Sequence, residues 1–176
     1  MVLSLIGGSA AAVLAQTAPP PAAPPALLVV PGLGVGRWTL DHKLADYVWQ
    51  FGVPQVRASG TDVVFRPQMD ETSWATPPLA VVYPPSSDTV WAVGTSDPGA
   101  QTIDKVGVGS TEEQVTTAYN DATVVLQVPL RSKTLIYDAR GIAFELAYVP
   151  ATGQYGAAHR VFVFRPGLAR AIWRLP

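Results

Sequence analysis

The 176-residue chain has no cysteine, only two histidines, and charged side chains at just 14% of positions. Without cysteine there can be no disulfide framework and no lipobox for acylation, so the fold must be held by its core alone. With two histidines and no thiol, a closed zinc site would have to recruit carboxylates. Long apolar runs are also missing. The uncharged run Val2 to Ala15 would span about 21 Å as a helix, short of a bilayer core. No stable membrane span is therefore expected, and residues 1–15, ending Val13-Leu14-Ala15 before Gln16, read as a signal-peptide-like segment.

Apolar residues make up 48% of the chain, enough for one globular domain or two small modules sharing a core. Residues 16–26, QTAPPPAAPPA, carry five prolines in eleven positions and read as an extended, polyproline-like linker. The net charge of −1 is unevenly placed. Up to Leu130 there are five basic and eleven acidic residues, whereas from Arg131 onward seven basic residues face Asp138 and Glu145 alone.

The sequence repeats itself. Gly34-Val35-Gly36 recurs as Gly107-Val108-Gly109, offset by 73 residues. Val81-Val82-Tyr83-Pro84 recurs as Val163-Phe164-Arg165-Pro166, and Val90-Trp91-Ala92-Val93 as Ile172-Trp173-Arg174-Leu175, both offset by 82. One insertion of about nine residues in Pro150 to Ala158 reconciles the offsets, so one supersecondary unit is expected twice, over residues 27–103 and 104–176. In the first, Leu40, Leu44, Val48 and Phe51 form the apolar stripe of a helix capped by Thr39 and ended by Gly52 and Pro54. Strands are expected at Asp62–Arg66, Leu79–Tyr83 and Thr89–Thr95. In the second, Ser110-x-x-Glu113 predicts a capping box for a helix running to Tyr119. Strands follow at Val124–Val128, Lys133–Asp138, Ile142–Val149, Arg160–Arg165 and Arg170–Leu175. In Ile142–Val149 the even positions alternate as core and Ala143, Glu145 and Ala147 as solvent face. The expected class is α+β: two tandem modules forming one curved antiparallel sheet, two helices on one face and the other face exposed.

Signals for chemistry are sparse. Gly32-x-Gly34-x-Gly36 lacks the G-x-G-x-x-G spacing of a dinucleotide loop. His42 lies beside Asp41 and Lys43 on a polar helix side, and His159 precedes a strand. Neither has a serine in a nucleophile-elbow sequence to act upon. Glu145 is the one acid set apart on a strand. Of the tryptophans, Trp91 and Trp173 occupy equivalent core-facing places, while Trp74 is expected in a loop as an exposed anchor. Arg165, Arg170 and Arg174 form a basic face opposite Trp173.

The Gly-x-Gly, the capped short helix with Val115, the Phe51-Gly52 and Tyr119 endings, Gly141-Ile142-x-Phe144 and the final Val161-Phe162-Val163-Phe164 strand resemble the module of the SmpA/OmlA (BamE-type) envelope lipoproteins. Two in tandem are similar to the secreted β-lactamase inhibitor proteins. The resemblance implies the fold and a protein-binding way of life, and it carries over no individual functional residue. The expectation is an exported, non-enzymatic module, periplasmic or extracellular, without cofactor, metal or nucleic acid. It would bind an acidic envelope or secreted protein through Arg165, Arg170, Arg174, Trp74 and Glu145. The alternative is an envelope enzyme or binder of small anions using Glu145 and neighbouring arginines.

Overall fold

A computed structural model describes residues 27–58, 69–127, 132–173 and 175. The signal-peptide-like segment, the proline-rich linker, the strand expected at Asp62–Arg66, and Arg131 and Arg174 lie outside the described residues. The class is α+β. Among the described residues three α-helices accompany antiparallel sheets, and no described helix is long and apolar enough to cross a membrane.

A small sheet comes first: β1 (Val29–Val30), β2 (Gly34–Val35) and β3 (Trp38–Thr39). Helix α1 (Leu44–Phe51) follows, then β4 (Val56–Ala58), β5 (Asp70–Ala75), β6 (Pro78–Tyr83) and β7 (Ala92–Thr95). Helix α2 (Glu112–Ala118) precedes β8 (Thr123–Gln127), β9 (Ser132–Tyr137), β10 (Ile142–Val149) and β11 (Gln154–Phe164). A short helix α3 (Ala169–Ile172) comes last. The large sheet has the order β4-β5-β6-β7-β11-β10-β9-β8, antiparallel throughout. Two meanders, each preceded by a helix, therefore meet through their last strands. That seam pairs Val161 with Thr95 and Phe164 with Ala92.

Both faces of this sheet are covered at its centre. On one, Trp74, Leu79, Val81, Val93, Leu135, Phe144, Leu146 and Val163 pack against Tyr47 of α1 and Val115 of α2, with Tyr119 just beyond it. On the other, Ala80, Val82, Ala92, Ile136, Ala143, Phe162 and Phe164 pack against Ala169, Ile172 and Trp173. The expectation of helices on one face with the other bare is corrected here. The segment expected as the strand Arg170–Leu175 is instead α3 followed by Trp173, and it closes over the second face. Its entry is set by the turn at Arg165 to Leu168. There Gly167 takes φ 85° and the Leu168 N–H donates to the Arg165 carbonyl at 3.1 Å, as the Pro-Gly sequence predicts. The Asp138 carboxylate then accepts from the N–H groups of Gly167 and Ala169 at 2.9 and 3.0 Å.

Local signals were off by small steps with clear causes. Helix α1 begins at Leu44 because Trp38 and Thr39 are taken up by β3, and the Lys43 N–H is satisfied by Asp46 at 2.8 Å. The capping box of α2 sits one residue later than Ser110. Thr111 Oγ1 accepts from the Gln114 N–H at 3.2 Å, and Gln114 Oε1 accepts from the Thr111 N–H at 2.8 Å. Ser110 Oγ accepts instead from the Gly107 N–H at 2.9 Å. The expected insertion loop Pro150–Ala158 is mostly strand, since β11 starts at Gln154 and absorbs extra residues as register shifts against β10.

The two Gly-Val-Gly segments have parallel roles. A Cβ on Gly34 would lie 2.1 Å from the Trp38 carbonyl oxygen, and one on Gly107 would lie 1.9 Å from that of Ala100. The following glycines, Gly36 and Gly109, take φ 57° and 91°. Backbone approach and chirality, and not a phosphate, account for the glycines.

Candidate functional site

Two places carry more than packing. The first is a charged cluster on the same sheet face as α3, beyond the area that the helix covers. Arg160 of β11 pairs with Glu71 of β5, reaching over β6 and β7, and its Nη1 lies 3.6 Å from Glu145 Oε2 on the neighbouring β10. The reach is possible because small residues lie between. Gly94 stands opposite Phe162, and a Cβ there would sit 2.4 Å from the Phe162 ring. That ring in turn lies under the guanidinium, whose carbon is 4.6 Å from the ring centroid. Burial opposes the charge on Arg160, but Glu145 and Glu71 outweigh it and hold the guanidinium pKa above its ordinary value.

Glu145 is 3% exposed. The alternation that placed it and Ala143 on a solvent face is corrected, because β10 is a central strand buried on both sides. His159 is the extra residue of a β-bulge: Glu145 pairs with Arg160 but Leu146 with Ala158. Burial lowers the pKa of His159, with Glu145 acting in the opposite sense. Beside the cluster a recess of about 260 Å³ opens between Glu71, Ser73, Ala80, Ser96 and Arg160. An anion approaching Arg160 there meets two carboxylates already on the guanidinium, which disfavours an anion site. Among the described residues no group of three or more histidines and carboxylates is placed to hold a metal ion.

The second place is the outer surface of α1. Its inward side is filled by Tyr47, with Leu44, Val48 and Phe51 half-buried against the core. Trp49 points the other way at 86% exposed, and Val53, in the segment just past the Gly52 stop, is 82% exposed. Trp74, expected as the exposed anchor, is corrected to a core residue of β5. It is 5% exposed, its ring stacks 6.4 Å from Tyr47, and its Nε1–H donates to the Gly52 carbonyl at 3.0 Å. Trp49 was nevertheless identifiable, because it lies off the stripe of Leu40, Leu44, Val48 and Phe51.

The basic face is only partly assembled. Arg165 pairs with Asp41 at 3.1 Å, and Arg170 lies exposed on α3. Trp173 is fully buried, its ring 4.9 Å from that of Phe164, whereas Trp91 is half-buried against the same cluster. His42 is not a solvated helix residue. It precedes α1, with Nδ1 3.1 Å from Thr39 Oγ1.

No protein-family model matches this sequence, and no curated protein matches it. The fold is similar to the crystal structure of the uncharacterized protein yfeY from Escherichia coli, with a TM-score of 0.52 at 11% identity over 77% of this chain and 99% of that one. A cysteine-rich secretory protein (SAV1118) from Staphylococcus aureus is also similar, with a TM-score of 0.42 at 11% identity over 85% of this chain and 54% of that one. No SmpA/OmlA-type or β-lactamase-inhibitor-type protein was found in these comparisons. What the likeness to yfeY shows is the fold.

Proposed function

We propose that this chain is an exported, non-enzymatic protein-binding domain whose partner docks on the outer surface of α1 at Trp49, beside the exposed Val53 that follows the helix. The observation that carries the reading is the exposure of Trp49. A tryptophan in water contributes almost nothing to folding. The same side chain buried by a partner is among the strongest anchors an interface can have. Val53, just past the end of the helix, is a second exposed apolar side chain. The uncharged run Val2–Ala15 and the proline-rich stretch after it support export and a spacer ahead of the folded body. The mirrored strand order and the matching roles of Gly34 and Gly107 support reading the body as one helix-plus-sheet module used twice.

The enzymatic alternative places the working groups at Glu145, His159 and Arg160. Those groups are balanced against one another within the sheet face, an arrangement that serves packing as well as chemistry.

The test is affinity capture from the envelope and secreted fractions of the host with residues 27–176, wild type against Trp49→Ala. The reading expects a protein retained by the wild type and lost by the variant. The same captured set from both removes α1 as the docking surface.

A further inference from the structure

The large sheet ends on β8, and this edge carries an inference independent of the α1 surface. Among the described residues strand β8 pairs with β9 alone, and its register is regular from Thr123 opposite Ile136 to Gln127 opposite Ser132, with no bulge. Among the described residues no backbone hydrogen bond other than that ladder involves Thr123–Gln127. Alternate N–H and C=O groups along a regular edge point outward and await an extended chain. Natural sheets guard such edges with lysine, proline, a bulge or a very short strand. The sequence Thr123-Val124-Val125-Leu126-Gln127 has none of these, and Val124 stands 47% exposed.

We propose that β8 is an assembly edge that pairs antiparallel with β8 of a second copy of this chain, joining two large sheets across a two-fold axis. The sequence is self-complementary in that register. Val125 falls opposite its own copy, Val124 opposite Leu126, and Thr123 opposite Gln127, so like polarity meets like and no charge meets its equal. A two-fold interface requires this kind of self-match, which an edge evolved for a different strand need not have. A ladder of five residues is smaller than a standard interface, so the association is weak and rises with protein concentration.

Sedimentation velocity over a dilution series tests this, with wild type and Val124→Lys. Val124 is exposed, so the lysine is compatible with the fold, which circular dichroism and thermal unfolding verify. The proposal expects a concentration-dependent dimer in the wild type and a shift of at least tenfold toward monomer in the variant, because each lysine replaces an apolar partner of Leu126 and the two lysines lie diagonally across the axis on one face. Because the chain has no cysteine of its own, Val125→Cys gives an independent reading: mild oxidation traps a covalent dimer through the central pair, and Ala45→Cys on α1 does not. A wild type that stays monomeric at every concentration overturns the proposal. So does a dimer indifferent to Val124→Lys, or one trapped equally from position 45.

Discussion

At the scale of single residues, the two tryptophans Trp49 and Trp74 make opposite demands. Trp74 closes an aromatic group with Tyr47 and Phe51, at 6.4 and 5.5 Å between ring centroids, and satisfies its own N–H on Gly52. Trp74→Ala is expected to cost about 3–5 kcal/mol of stability in urea denaturation, as for other buried aromatics. Trp49→Ala is expected to change it by less than about 0.5 kcal/mol. The buried tyrosines make a second prediction. Burial, with Asp46 in support, raises Tyr47 far above its ordinary 10, and burial, then Glu112 and Tyr119, push Tyr137 up to about 12. Folded pKa values above the unfolded ones mean that the neutral phenols stabilise the fold fully below pH 10. That contribution is lost as pH rises from about 10 toward the folded values. Absorbance at 295 nm against pH should therefore show part of the phenolate signal appearing only with loss of structure, detected by circular dichroism. Complete titration of all tyrosines near pH 10 with the fold intact contradicts this burial.

At the scale of elements, the start of α2 distinguishes a motif from its neighbour. The S-x-x-E pattern pointed to Ser110 and Glu113, while the working box is Thr111 with Gln114, because Ser110 is already engaged by the Gly107 N–H. Thr111→Ala should cost about 1 kcal/mol, measured by chemical denaturation, and Glu113→Ala close to nothing. The same contrast shows what was legible in the sequence. Strands β6, β9 and β10 and the end of α1 at Gly52 could be read from β-branched runs and a glycine stop, which are local properties. The C-terminal segment was misread because Arg170–Leu175 alternates like a strand. Its helical turn is decided by Asp138, some thirty residues earlier in the chain, and by the aromatic bed of Phe162 and Phe164. Glu145 was misread for the same kind of reason. Alternation marks a solvent face on a half-covered strand, and only the strand order reveals that β10 is covered twice and that Glu71 and Arg160 converge on it. Trp49 was passed over in favour of Trp74, although helical periodicity alone sets it off the stripe of Leu44, Val48 and Phe51.

At the scale of the whole molecule, the seam between β7 and β11 makes two meanders into one sheet, and Gly94 sits in it beneath Phe162. Gly94→Ala drives a methyl into the ring and should cost about 1–3 kcal/mol, lowering a single cooperative thermal transition without splitting it. Two separate transitions would mean that the halves fold independently. The same continuity leaves the surface of α1 free of any duty to the core. Whether this surface binds a protein is read most directly from the dissociation constant of the captured partner, measured by calorimetry for wild type and Trp49→Ala beside the melting temperature of each. With Trp49 as the anchor, affinity should fall by about 30-fold or more, the equivalent of about 2 kcal/mol, while the melting temperature stays the same. An unchanged dissociation constant, or a loss of affinity that merely follows a loss of stability, would contradict that role.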